Sequence, residues 1–251
     1  MLSAPIGARA AAPDLVSHRA IYEMTLKSAS QTSDIAELNG QMLIEVTDVC
    51  DGWTLKQRIA LIIADFEGSA VNSYTSFASW ESKDGQQFRF EQKTLQNDII
   101  VEELSGKAAM DPDGAGVAVL DKPAGVSHEL EPGTLFPGRH MALLIASAEA
   151  GEVFVTRVVF DGTTAEGPSQ ISAFISQPIT APRLPGEAQG PQVWPIRLGF
   201  YRAASNASEP DVEIGVLLQA NGVTRHMTLD YGSFSIEGRL DRLELLPAAD
   251  C

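Results

Sequence analysis

Apolar and polar residues alternate with a period of two along most of this chain, which predicts strands. Tyr22, Met24 and Leu26 interleave with Glu23, Thr25 and Lys27. Met42, Ile44 and Val46 alternate with Glu45 and Thr47. The same parity carries to Cys50, which is expected on the apolar side unless the Asp51-Gly52 turn begins a residue early. Residues 58–66 form a more continuous apolar run. Asp84-Gly85 separates paired runs at 77–81 and 87–91, and Asn221-Gly222 separates 214–218 from 223–229, a strong hairpin signal. Asp161-Gly162 closes the run 153–160. The last run, 233–246, alternates imperfectly around Gly238, read as a bulge. This density predicts roughly a dozen strands in an antiparallel meander.

One stretch changes period. After Phe136-Pro137-Gly138-Arg139-His140, residues Met141, Leu144, Ile145 and Ala148 fall on one helical stripe. Pro137 suits a first helical turn and Gly151 the left-handed position after the last. A lone amphipathic helix must bury its stripe on the sheet. The expected fold class is therefore mainly β, a curved and partly closed antiparallel sheet with one amphipathic helix packed across it. Residues 177–194, with prolines at 178, 182, 185 and 191, read as a long crossing within one domain, because the strand pattern is similar on both sides. Residues 17–251 are expected to form that single domain. Residues 1–16 read as an N-terminal arm or the remnant of a signal peptide, since Ala8-Arg9-Ala10 has the A-x-A form but no apolar region precedes it.

Charge removes several functions. The 251 residues carry 18 Lys and Arg against 33 Asp and Glu, a net charge of −15. Such a surface repels phosphate backbones, so nucleic acid is not an expected partner. Overall charge does not draw the chain to an anionic membrane face, and no apolar run has the length of a membrane span.

The two cysteines, Cys50 and Cys251, are the sharpest chemical feature. Neither has a second cysteine nearby, which excludes a C-x-x-C redox pair and a cysteine-rich zinc site. Two buried thiols, one reactive thiol or a single disulfide remain open. A terminal cysteine is a poor core residue and a good staple. If joined, the pair closes a loop of 201 residues, for which the chain-entropy relation gives roughly 5 kcal/mol. A disulfide would imply an oxidising compartment.

Catalytic motifs are absent. There is no P-loop, no G-x-S-x-G elbow and no second histidine to complete a zincin motif after His128-Glu129. Asp111-Pro112-Asp113-Gly114 starts like a calcium loop, but Ala115 and Lys122 occupy ligand positions. His18 is expected to be exposed before the first strand, His128 in a loop, His140 in the first helical turn and His226 on a hairpin strand. Trp53, Trp80 and Trp194 read as core or corner residues. Asn206-Ala207-Ser208 is a sequon, relevant only in a eukaryotic host. No catalytic residue, metal ligand or cofactor is assigned, and ligand-binding residues are not legible.

Taken in order, several segments form a set. They are Cys50-Asp51-Gly52-Trp53 followed by Gln57-Arg58; Asp84-Gly85; Gly133-Thr134-Leu135-Phe136-Pro137; Val159-Phe160-Asp161-Gly162; Asn221-Gly222-Val223; Leu229-Asp230-Tyr231-Gly232-Ser233-Phe234; and the final cysteine. This set resembles the EipB-like family of alphaproteobacterial cell-envelope integrity proteins, formerly a domain of unknown function. The resemblance runs from His18 to Cys251. It implies an exported periplasmic protein, a spiral, barrel-like sheet with one inserted helix, and a disulfide between Cys50 and Cys251. It also implies a role in envelope integrity without known catalysis, on an architecture similar to carriers and sensors of outer-membrane lipoproteins. The leading expectation is a non-enzymatic periplasmic protein acting through a protein partner or lipid contacts. A carrier of a lipoprotein or acyl chain in the sheet cavity comes second, and a hydrolase with an assembled site third.

Overall fold

The inward residues of each strand set the curvature of the sheet. A computed structural model describes residues 15–111, 114–184, 190–202 and 208–251. The A-x-A step, Pro112 and Asp113 of the calcium-like loop, and Asn206-Ala207 of the sequon lie outside them.

The first half of the chain forms β1 (His18–Ala29), β2 (Ile35–Asp48), β3 (Gly52–Asp65), β4 (Ala70–Ser82), β5 (Gln87–Gln96), β6 (Ile99–Met110), β7 (Gly116–Lys122) and β8 (Ser127–Leu130). The helix α1 (Pro137–Glu149) follows. The second half forms β9 (Phe154–Val159), β10 (Ser169–Ile175), β11 (Ile179–Thr180), β12 (Gln192–Arg202), β13 (Val212–Leu218), β14 (Thr224–Asp230) and β15 (Phe234–Leu245). Among the described residues, no helix is long and apolar enough to cross a membrane.

The strand order is β8-β7-β6-β5-β4-β3-β2-β1-β15-β14-β13-β12-β10-β9, with β11 added beside β12. The first and last strands are therefore neighbours in the middle of the sheet, and two antiparallel meanders spread from that seam. On the outer face Arg19 of β1 ties the seam, reaching Glu45 of β2 at 2.7 Å and Glu244 of β15 at 3.0 Å. The far edges come back together. Leu135, just before α1, forms a parallel bridge to Val159 of β9, with N–H···O distances of 2.9 and 3.0 Å. The sheet thus curls into a barrel-like spiral whose two edges meet beside α1.

Bulges supply the bend, since an extra residue on one strand adds local twist. Register slips occur opposite Ile21 and Tyr22, where Asp241 of β15 is left over, and between β13 and β14, β5 and β6, and β6 and β7. Gly238 is not one of these bulges. It stays in register with Met24 and Met227, and a Cβ there would lie 2.7 Å from Met227 Cγ. It allows close approach of two methionines rather than a kink.

The core has three parts. Tyr22, Met24 and Met42 pack with Met227 and Ile236 under the seam. Phe88, Phe90, Phe136 and Phe160 form an aromatic cluster where the sheet edges meet. The stripe of α1, chiefly Leu144, Ile145 and Ala148, packs on β9, β10 and β12. Pro137 starts the helix and Gly151 follows it with φ 76°, so both ends lie where the sequence placed them.

Candidate functional site

The feature with chemical potential lies where the first turn of α1 meets the inner face of β1–β4. The N-cap residue is Phe136, which has no side-chain capping hydrogen bond, and the first turn holds no acidic residue. Its free N–H groups need acceptors. Glu81 supplies them from β4: Oε2 accepts from Gly138 N at 2.6 Å and Oε1 from Arg139 N at 2.9 Å. Gly138 is required here, because a Cβ would fall 2.9 Å from Glu81 Oε2. The carboxyl of a distant strand thus caps the helix and fastens it to the sheet.

Glu81 is only 3 % exposed. Burial pushes its pKa up from the usual carboxylate range to about 7, against the downward pull of the two helix N–H groups and Arg139. The folded protein therefore holds this proton more tightly than the unfolded chain. The group's contribution to stability is full below about pH 4.5 and declines as pH rises to about 7. The change is on the order of 3 kcal/mol. His140, buried in the same helical turn, runs the other way. Burial and then Arg157 lower its pKa to about 4, so its contribution is lost as pH falls from 6.5. The two slopes oppose each other and nearly cancel in the wild type between about pH 4.5 and 6.5, so in Glu81→Gln the His140 limb should be uncovered and the melting temperature should climb across that range. Parallel melts of wild type and variant across that range test this, and equal slopes would contradict it.

Beside this latch lies a cavity of about 200 Å³, between β1–β4, α1 and the β13–β14 turn. Leu15, Tyr22, Ile44, Val46, Leu55 and Met141 give it an apolar wall, and His18, Trp53 and Glu81 add polar groups. Tyr22 donates its hydroxyl hydrogen to Thr224 O at 2.8 Å, closing one end. Burial raises the Tyr22 pKa, so this donor stays protonated. Trp53 is backed by Lys83, whose Nζ sits 4.0 Å from the ring centroid and pairs with Asp48 at 2.5 Å.

Asp48 leads to the cysteines. Its Oδ1 accepts from Cys50 N at 2.9 Å, in the turn between β2 and β3. Cys50 is bonded to Cys251, with Cα atoms 5.7 Å apart, and among the described residues no cysteine is free. The strand ends at Asp48 and Cys50 adopts φ 69°. Its side chain is exposed rather than facing the apolar interior, because the turn begins early.

The histidines do not converge. His18 is the first residue of β1 and 3 % exposed, not free before the strand, and its Nδ1–H donates to Val16 O at 2.8 Å. His128 lies on the short strand β8, not in a loop, and contacts Ala165 O at 2.9 Å. His226 pairs with Glu237 at 2.9 Å. Only His18 shares the cavity with Glu81. Among the described residues no group of three or more His, Cys, Asp or Glu side chains could hold a metal. Sequence reasoning missed Glu81. Its signal was an acidic residue at the inward parity of β4, after Phe77 and Ser79.

These features define a class: an antiparallel, barrel-like spiral in which the one helix of the described residues is latched between the sheet's edges above a small apolar cavity. The chain belongs to the EipB-like family, whose model matches residues 9–247. It is 34 % identical over 244 residues to the "Cell envelope integrity protein EipB" of Brucella abortus (strain 2308), covering 94 % of this chain and 86 % of that one. A crystal structure described as a beta-barrel-like protein of domain of unknown function DUF1849, also from Brucella abortus, superposes with a TM-score of 0.88 at 33 % identity. That match covers 94 % of this chain and all of the other.

Proposed function

We propose that this is a periplasmic protein without enzymatic activity that supports the integrity of the cell envelope, chiefly through contacts with another envelope protein. The observation that carries the reading is the 34 % identity, over 94 % of the chain, to a cell envelope integrity protein. The Cys50–Cys251 bond supports an oxidising compartment. The dispersed histidines give no motive for hydrolysis. Residues 17–251 act as one β-spiral domain, because the seam pairs its first and last strands.

The cavity bears on the alternative, a lipoprotein or acyl-chain carrier. At about 200 Å³ it is smaller than ordinary ligand sites of roughly 300–1,000 Å³. It suits one short apolar group and not several acyl chains. Native mass spectrometry of protein purified from envelopes should show the bare mass, and a co-purifying lipid at stoichiometric level would favour the carrier.

Deleting the gene in its host should raise sensitivity to detergents and cell-wall antibiotics. Thiol labelling of the protein in that host should require reductant. A deletion strain as resistant as its parent would overturn the function, and freely labelled cysteines would overturn the compartment.

A further inference from the structure

The outer face of β3–β7 reverses the sign of the molecule. Strand register places its residues in rows across the sheet. One row runs Thr54, Trp80, Arg89, Lys107, Val119. The next runs Lys56, Ala78, Glu91, Ser105, Lys122. The third runs Arg58, Ser76, Lys93, Glu103. These three rows hold six cations against two carboxylates, in a chain with a net charge of −15 and only 18 Lys and Arg. Glu45 borders the band on β2 and is shared by Arg19 and Lys56, Glu103 pairs with Lys93 and Lys122, and Asp121 sits in the bulge beside Lys122; among the described residues no ion pair holds Arg58, Arg89 or Lys107, and these three carry the face's unbalanced charge.

The floor between the cations is small and polar, at Ser76, Ala78 and Ser105. It forms an open trough of about 530 Å³. Apolar side chains flank it on both sides: exposed Val117 and Val119 at one end, and Tyr74, Ile100 and Val101 at the other. Five strands and five rows span roughly 20 by 27 Å. That outline, about 540 Å², matches one side of a small, transient protein interface.

We infer that this face docks an acidic protein surface, a step that rests on the protein-contact reading above. The remainder of the chain is strongly negative, so its field steers an anionic partner toward this face. An anionic bilayer is disfavoured, because the turns beyond the apolar end carry Asp65, Glu67 and Asp98, which would meet the headgroups first. An acidic glycan would need an open aromatic platform. Trp80 is already covered by Arg89, 5.2 Å from its ring centroid. A protein surface uses what remains: a flat face, an Arg–Trp pair, a tyrosine and a charged band with apolar borders.

The test uses the exported, disulfide-bonded protein. Arg58→Glu/Lys107→Glu reverses two cations of the band, and Arg197→Glu/Arg202→Glu is the control on β12. The probe is a fluorescently labelled 20-residue polyglutamate, read by anisotropy at rising salt. Oligogalacturonate and phosphatidylglycerol vesicles are run in parallel. The wild type should bind polyglutamate, with affinity falling as salt rises. The band variant should lose at least tenfold, and the control should stay within twofold, with both variants melting within a few degrees of wild type. No binding to the peptide, equal binding by the band variant, or preference for the glycan or the vesicles would overturn the inference. The same variants are then returned to the deletion strain. Full complementation by the band variant overturns the docking face and leaves the envelope function standing. A deletion strain without a phenotype overturns that function, and the peptide result then decides the face alone.

Discussion

Cys50→Ser/Cys251→Ser should unfold at a temperature roughly 10–20 °C below the wild type, corresponding to about 5 kcal/mol. The bond closes a loop of 201 residues, and removing it returns that loop's freedom to the unfolded chain. Native contacts near it are few. Both cysteines are exposed, and beyond β15 the tail is tied by one backbone bond, Leu246 N to Ser17 O at 2.9 Å. Almost the whole effect therefore acts on the unfolded state. Wild type under reductant and the double variant should melt together, since both lack the same link. Thermal melts with and without reductant measure this, and a loss below about 1 kcal/mol would show that the unfolded chain keeps its ends close without the bond.

Phe136→Ala should cost about 3–5 kcal/mol. The ring is 0 % exposed and stacks on Phe88 with centroids 5.2 Å apart. It is also the residue before α1 and next to the Leu135 bridge. Its loss opens a hole where the two edges of the spiral meet and loosens the helix that Glu81 caps. Denaturant unfolding should show the loss, and amide exchange at Gly138 and Arg139 should accelerate ahead of the seam strands. Phe174→Ala, at a ring 57 % exposed on β10, should change stability by less than about 0.5 kcal/mol. Equal costs at the two positions would mean that the aromatic cluster does not hold the edges.

Much of this architecture was legible because it follows from local rules. Period-two alternation located β1 and β2, and Asn221-Gly222 marked the β13–β14 turn. Pro137 and Gly151 bracketed α1. These are near-neighbour effects of backbone sterics and burial. The errors came from long-range geometry. His18 looked free because nothing local shows that β1 lies between two strands. Gly238 looked like a bulge because a missing side chain reads the same whether the strand bends or a neighbour crowds in. Parity alone puts Cys50 on the apolar side, and the stated exception holds, because the turn at Val49–Asp51 begins early and takes it out of the strand. The helix latch was hidden for the same reason, since Glu81 and Gly138 are 57 residues apart. The cationic face was hidden more deeply: its members lie on separate strands and appear together only once the register is known. Net charge gave the opposite impression.

The position of β1 has a consequence for how the polypeptide matures. One of its edges is covered early by β2, while the other waits for a segment beginning at Phe234. During synthesis, that bare ladder of amides and carbonyls stays available to any stray strand. Escort by a chaperone until the final strand arrives would protect the most vulnerable stage in the life of the molecule.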